Sequence, residues 1–372
     1  MQRQIVVPRD DFARKLEAQG LSFHARDKYW KEDACYQFDL KQVETVEAAT
    51  NELHQMCVAA LENAIAAERL GQLAIPQAFW DLIAASLKRR DFSLYGRFDL
   101  SYDGKSAPKL LEYNADTPTS LLESAVCQWY WMEDKFPGAD QFNSIHERLI
   151  ARWRQLPGSA PIHLASLDGN EEDWACTTYL IDTVAQAGRK AEHINIEDIG
   201  WDASRSAFVD SQGSAIENLF KLYPWEWLMV EDFGGHIAAS STRFIEPLWK
   251  AGLSCKGLLA LLWELYPEHP NLLPAYFEPG RLSSYAKKPL YSREGANIEL
   301  YSNKACLEKA DGPYGEQGYI YQALQILPAF DGHYAVVGSW VIDGQSAGMC
   351  IREDSSPITS NCSSFVPHYF IN

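Results

Sequence analysis

The sequence has no run of about 18 apolar residues, the length that a membrane-spanning helix needs, so no membrane partner is expected. Its eight cysteines (Cys35, Cys57, Cys127, Cys176, Cys255, Cys306, Cys350 and Cys362) include no CxxC pair. That spacing argues against a zinc finger or a dense disulfide scaffold and fits reduced, buried thiols. Positive charge is scarce: 33 Lys and Arg face 50 Asp and Glu, for a net charge of −17. A general nucleic-acid-binding face, which requires a basic surface, is therefore not expected, whereas a cationic substrate is compatible. The first residues, MQRQIVVPRDDF, lack the apolar core of a signal peptide, and a cytoplasmic location is expected. The phosphate-binding patterns GxxxxGK[ST] and GxGxxG do not occur, nor do repeats, heptads or low-complexity tracts.

What is present is a chain of 372 residues, 47% hydrophobic, with 12 Trp and 18 Tyr. This is enough apolar material for two or three subdomains with substantial aromatic packing. The most informative stretch is RFDLSYDGKSAPKLLEYNADTPTSLLE, residues 97–123. Arg97 to Tyr102 alternates polar and apolar residues as a half-buried strand does, Asp103-Gly104 marks a turn, and Lys109 to Asn114 returns as a partner strand. Side chains two apart on a strand share a face. Pairing across the turn would thus let Asp99, Glu112 and Asn114 converge into an all-oxygen site suited to Mg²⁺. Arg97 would then stand beside a developing phosphoryl charge. The competing reading is a surface hairpin whose charges stay wet. Asp116-Thr117-Pro118-Thr119-Ser120, just past the strand end, favours the ligand site.

Along the rest of the chain, the periodicity predicts a helix over 41–70, capped by Asp39, and a second over 79–87. Helices also follow over 121–135 and 142–155. A strand at 161–167, a helix beginning with the acidic run after Asp168 and ending near Gly188, and a strand at 191–196 predict a small parallel α/β unit. Glu171 and Glu172 at that helix start read equally as complements to the helix dipole or as ligand contacts. Residues 216–223 read as a strand broken by Pro224-Trp225-Glu226-Trp227, and 248–251 and 257–266 as helices. Around Lys288, Arg293 and Gly295 the sequence reads either as a loop that wraps phosphates or as an ordinary basic hairpin. Tyr319 to Pro328 is strand-like, then extended, and is suited to line an adenine pocket. Residues 334–342 and 346–354 form a hairpin around Asp343-Gly344, with Arg352 on its second strand. Short segments at 358–361 and 365–368 end the chain.

Four blocks, RFDLSYDG…PKLLEYNADTPTS, KKPLYSREGANI, YQALQILP and GSWVIDGQSAGMCIREDSSPITSN, resemble the glutathionylspermidine synthase family in content and order, over about residues 24–368. The extra amidase domain of that family's bifunctional members has no counterpart in this length. The resemblance implies a mixed α+β and α/β chain: an ATP-grasp fold with a preceding α/β (pre-ATP-grasp) subdomain and a permuted order, the metal hairpin preceding the nucleotide lysines. The corresponding domains would be 1–160, 161–250 and 251–372. It implies ATP and Mg²⁺ as cofactors and small-molecule acid and amine substrates, glutathione- or peptide-like and polyamine-like.

Residue by residue, the resemblance makes Asp99, Glu112 and Asn114 the Mg²⁺ ligands and Arg97 the catalytic arginine. Lys256, Lys288, Gly295 and Arg352 become phosphate contacts, with Arg97 and Asp99 also facing ATP. Gln322, Ala323, Leu324 and Gln325 become the adenine hinge. Thr117, Thr119, Glu171, Glu172 and Arg293 become substrate contacts. Ser120 stands where the family has cysteine, and Ser363 and Ser364 where it has a late acidic residue, so the substrate departs from the family pattern more than the reaction. The expected activity is acid–amine ligation through an acyl phosphate. The alternatives are a degenerate nucleotide- or peptide-binding regulator and an ATP-grasp amino-acid or peptide ligase.

Overall fold

The computed structural model of the protein describes residues 1–360 and 363–371. Asn361, the end of one expected segment, and Cys362 lie outside the described residues. At the centre is a six-stranded antiparallel sheet. Its main path runs Ser364–Val366, Gln345–Asp354, His333–Ile342, Tyr95–Ser101, Lys109–Asn114, and Ala329–Phe330 pairs beside His333–Ile342. The hairpin read from residues 97–114 is thus the edge of a sheet whose other strands come from the end of the chain.

Against this sheet packs the helix Leu40–Ala66. Val43, Val46, Leu53, Met56, Cys57, Ala60 and Leu61 form its buried stripe at helical spacing. Asp39 caps it reciprocally: its carboxylate accepts from the Gln42 amide at 2.8 Å, and the Gln42 side chain accepts from the Asp39 amide at 3.1 Å. The helix stops short of the expected residue 70 because Glu68 turns to φ +54°, a conformation that a right-handed helix cannot hold.

The expected α/β unit is a four-stranded parallel sheet ordered Arg243–Ile245, Asn218–Lys221, Ile162–Ser166, Ala191–Asn195, with the helix Glu171–Gln186 crossing over. Asn170 caps that helix, accepting from the amides of Glu172 and Asp173. The residues at Pro224 that were expected only to break a strand begin a short helix, Trp225–Leu228. The helix expected over 248–251 runs instead over Lys250–Ser254.

A five-stranded antiparallel sheet, ordered Ala275–Tyr276, Tyr319–Ala323, Tyr285–Pro289, Glu299–Ser302, Ala305–Lys309, covers one side of the central sheet's edge. Of the two readings around Lys288 the structure has the hairpin and not the loop: Lys288 lies on the strand Tyr285–Pro289, which pairs antiparallel with Glu299–Ser302 on one side and Tyr319–Ala323 on the other, and Arg293 and Gly295 fall in the connection between the first two. The strands Gln2–Ile5, Ala34–Asp39 and His368–Ile371, not read as strands in the sequence, form a fourth sheet that joins the two ends of the chain. Six of the described cysteines are buried and Cys306 is exposed, all as free thiols. Among the described residues no helix is long and apolar enough to cross a membrane.

Candidate active site

The hairpin register sets the site. Asp99 pairs directly with Glu112 and Arg97 with Asn114, and the ladder shifts between Asp99 and Leu100. Residues opposite one another on an antiparallel ladder share a face, so the structure brings Asp99, Glu112 and Asn114 together. The shift leaves Leu111 unpaired in the ladder, and its carbonyl accepts from Lys288 Nζ at 2.9 Å. A bulge of this kind re-aims backbone groups beside a site. Gln322 completes the junction: its amide nitrogen donates to the Leu110 carbonyl at 2.9 Å and its oxygen accepts from Lys288 at 2.7 Å. The two sheets are thus clamped together by Lys288 and Gln322.

Between them opens a narrow cleft lined by Asp99, Glu112, Lys288, Gly295, Gln322, Ala323 and Gln325, together with Pro357 to Thr359. Leu324 is absent from that lining; it packs beside Ala286, Leu300 and Ile358.

The charges in and around the cleft are two carboxylates among four cations. Asp99 accepts from Arg97 Nε at 2.7 Å and from Arg352 Nη2 at 2.7 Å. Glu112 lies 3.1 Å from Lys256 Nζ and accepts from Asn114 Nδ2 at 3.0 Å. Lys256 also donates to the Ser292 carbonyl. Burial by itself would push the Glu112 carboxyl up, but Lys256 and then Lys288 overcome it and hold it well below the usual range. Burial draws Lys288 down to about 8, against the pull of Glu112. The surplus of positive charge favours an anionic, polyphosphate-like ligand.

Arg97 stands behind Asp99 and not among the residues that line the cleft: besides Asp99 it donates to the Thr119 carbonyl at 2.7 Å, and its guanidinium lies 5.7 Å from the Trp340 ring centroid. In this geometry it orients Asp99 and ties down the loop after the hairpin. Gly338, directly beside Asp99 across the ladder, makes room for it; a Cβ there would meet Cys350 Sγ at 2.7 Å and Arg97 Cδ at 2.9 Å.

A second, smaller pocket is lined by Asn114, whose side chain donates to Glu112 of the cleft, and by Thr117, Glu226, Ser292 and Arg293. Arg293 donates to Thr117 Oγ1 at 3.0 Å and approaches Glu226 at 3.4 Å. Glu171 and Glu172 belong to neither pocket. Glu171 is more than half exposed and paired with Arg26 at 2.5 Å. Glu172 is partly buried, its carboxyl pushed up by burial and by Glu294.

Sequence reasoning missed what holds this loop in place. Asp116 and Lys221 form a fully buried ion pair at 2.7 Å, and Asp116 also accepts from the Trp225 amide at 2.8 Å. Lys250 pairs with Glu246, again out of water, and donates to the carbonyls of Tyr95 and Ala115. Glu123, buried against the Tyr29 hydroxyl, has its carboxyl pushed up to about 7 by burial. Asp116 and Lys221, like Tyr29 and Glu123, are far apart in sequence; Glu246 and Lys250 are only four residues apart, but no local pattern marks that pair as buried.

With this geometry established, similarity to known proteins decides the family. The sequence profile described as glutathionylspermidine synthase preATP-grasp matches residues 3–371. The chain belongs to the glutathionylspermidine synthase family. Over 359 residues it is 44% identical to a Haemophilus influenzae protein named "Putative acid--amine ligase", covering 92% of this chain and 91% of that one. It is 28% identical to the trypanothione synthetase of Crithidia fasciculata over 80% of this chain, and 28% identical to the bifunctional glutathionylspermidine synthetase/amidase of Escherichia coli over 86%. It spans 50% and 56% of the lengths of those two proteins. Among solved structures, a glutathione synthetase-like effector of Globodera pallida, in its apo form, superposes with a TM-score of 0.57 at 10% identity, covering 98% of this chain and 100% of that one. That likeness is one of fold. As a member of this family the protein is by class a carbon–nitrogen ligase.

Proposed function

We propose that the protein is an ATP- and Mg²⁺-dependent acid–amine ligase of permuted ATP-grasp type that makes an amide through an acyl phosphate. The observation that carries this reading is the pairing of Asp99 opposite Glu112 at a cleft whose back is formed by Lys288 and Gln322. The donor set fits a hard ion. Two carboxylates converge, and Asn114, whose nitrogen is committed to Glu112, keeps its oxygen as the free acceptor. A Mg²⁺ held there would screen the charge of the ATP phosphates during transfer.

The chain's own residues supply the rest. Lys256, Lys288 and Arg352 neutralise phosphate oxygens, and Arg97 fixes Asp99. The adenine would lie along Gln322, Ala323 and Gln325, with Leu324 buttressing from behind. Gly295 lets the covering loop approach Thr359 and exclude water from the acyl phosphate. In the adjoining pocket Thr117 and Arg293 bind the acid, and Thr119, two residues on from Thr117 and held through its carbonyl by Arg97, is a further contact to it. The acid's carboxylate oxygen attacks the γ-phosphorus, the bond to the β-phosphate oxygen breaks and ADP leaves. An uncharged amine then attacks the acyl carbon, its proton is lost and inorganic phosphate departs, leaving the amide. Catalysis of this kind is chiefly positioning and electrostatics.

Names of the relatives support glutathione- or peptide-like acids and polyamine-like amines, and the acidic side chains of Glu172 and Asp173 beyond the acid pocket, with Glu226 inside it, suit an amine. Ser120, in place of cysteine, sets this chain apart on the acid side. The test is oxygen-18 transfer from the labelled carboxylate of an accepted acid to released phosphate. One label per turnover supports the acyl phosphate, and none contradicts it.

A further inference from the structure

We propose that His163, Glu192 and Asp210 form a site for a divalent transition-metal ion of the zinc kind, at the end of the parallel sheet remote from the nucleotide cleft. His163 is the second residue of Ile162–Ser166 and lies in register beside Glu192 on Ala191–Asn195. Neighbours in register on parallel strands share a face. Asp210 follows the strand Ala207–Val209 of a separate two-stranded hairpin and reaches the same point. One potential ligand atom from each residue lies within 4.8 Å of the others.

The imidazole is the decisive feature. His163 is 6% exposed, and among the described residues neither of its ring nitrogens has a hydrogen-bond partner. Its Nε2 stands 3.7 Å from Glu192 Oε2 and 3.8 Å from Asp210 Oδ2. Those gaps are too long for N–H···O hydrogen bonds, and a buried polar group left unpaired is destabilising. They are close to the spacing of two ligands on one ion: with metal–ligand bonds of about 2.1 Å, tetrahedral ligands sit about 3.4 Å apart. Asp210 is already placed for this role. Its Oδ1 accepts from the amides of Gln212 at 2.9 Å and Ser214 at 2.8 Å, which leaves Oδ2 turned to the histidine. Glu192, with its side chain 57% exposed, can close the remaining distance.

One imidazole and two carboxylates make a mixed nitrogen–oxygen set. Zn²⁺ and Co²⁺ accept it, whereas Mg²⁺ prefers oxygen alone. The site therefore differs in chemistry as well as place from the pair Asp99 and Glu112. Glu171 and Glu172 follow the opposite, C-terminal end of the same strand. An ion held here would tie the two-stranded hairpin to two strands of the parallel sheet.

The experiment is a Co²⁺ titration of the full chain in excess Mg²⁺, followed by visible absorption, with Zn²⁺ displacement and thermal unfolding alongside. We expect one equivalent of Co²⁺ whose spectrum lacks a thiolate charge-transfer band, displaced by Zn²⁺, with Zn²⁺ raising the unfolding temperature. Substitution His163→Gln should abolish that equivalent. Substitution Glu192→Gln, at an exposed side chain with no folding role, should weaken it about tenfold or more. Equal binding in both variants, a spectrum carried by thiolates, or no Co²⁺ bound would each overturn the proposal. If NMR then showed that the ring of His163 only gains a proton between the two carboxylates, the site would be an ion pair and not a metal centre.

Discussion

Lys221 Nζ lies 2.7 Å from Asp116 Oδ1, and neither side chain reaches water. The lysine comes from the parallel sheet and the aspartate from the loop that leaves the central hairpin. This one contact therefore fixes the segment carrying Thr117 and Thr119 against a different sheet. Removing one partner of a buried pair strands the other charge. Lys221→Met should lower stability by about 3–5 kcal/mol in urea unfolding. Adding Asp116→Leu should restore part of that loss, because no charge is then left unpaired. A double variant as unstable as the sum of the two singles would contradict this account of the pair.

Asp99→Asn keeps the size of the side chain but weakens its hold on Arg97 and Arg352. ATP turnover should fall at least about a hundredfold, the scale of losing one preorganised electrostatic contact, with far-ultraviolet circular dichroism unchanged. Turnover within a factor of two of the original would remove Asp99 from the site.

The covering loop should depend on one backbone position. Gly295 has φ +70°, and a side chain there would run into the Thr359 carbonyl oxygen and meet Ile358 Cγ2 at 2.8 Å. Both the conformation and the clash oppose any Cβ. Gly295→Ala should weaken Mg·ATP binding about tenfold by calorimetry while leaving the unfolding temperature nearly unchanged, since the position belongs to a surface loop and not to the core.

Lys288, drawn by burial to about 8, gives a pH signature. Phosphate favours the charged ammonium, so nucleotide binding raises this value and takes up a proton. The uptake should be largest near and just above pH 8, where the free protein has lost part of that proton, and should vanish well below it. Affinity for Mg·ATP should fall as pH rises through that range. Calorimetry at pH 8 in buffers of different ionisation enthalpy measures the uptake directly. Lys288→Arg, which stays charged, should abolish it.

Local pattern made the central hairpin legible. Alternation and a turn at Asp103-Gly104 suffice to put Asp99 and Glu112 on partner strands, whereas the bulge at Leu111 that sets them directly opposite shows only in the structure; the α/β unit from Ile162 to Asn195 followed from its rhythm of strand and helix. What stayed hidden depends on distant partners. Around Lys288 the sequence leaves loop and hairpin open because lysine is strand-averse in isolation; the burial of Lys288 against Gln322 and the Leu111 carbonyl decides for the strand. Arg97 reads as a cation facing a phosphoryl charge, and the sequence cannot show that Asp99, the Thr119 carbonyl and Trp340 also hold it. The pairs Asp116–Lys221 and Glu246–Lys250 are buried charges, and only the tertiary fold shows which residues are out of water. His163 drew no notice because nothing near it in sequence names Asp210.

The central claim meets its most direct test in phosphate release from ATP and Mg²⁺ across a matrix of carboxylates, glutathione and short peptides among them, against amines from spermidine and putrescine to amino acids. The account predicts release that requires one acid and one amine together, with the amide product appearing in equal amount. Tight Mg·ATP binding with no release for any pair would contradict it and leave a nucleotide-binding regulator as the reading.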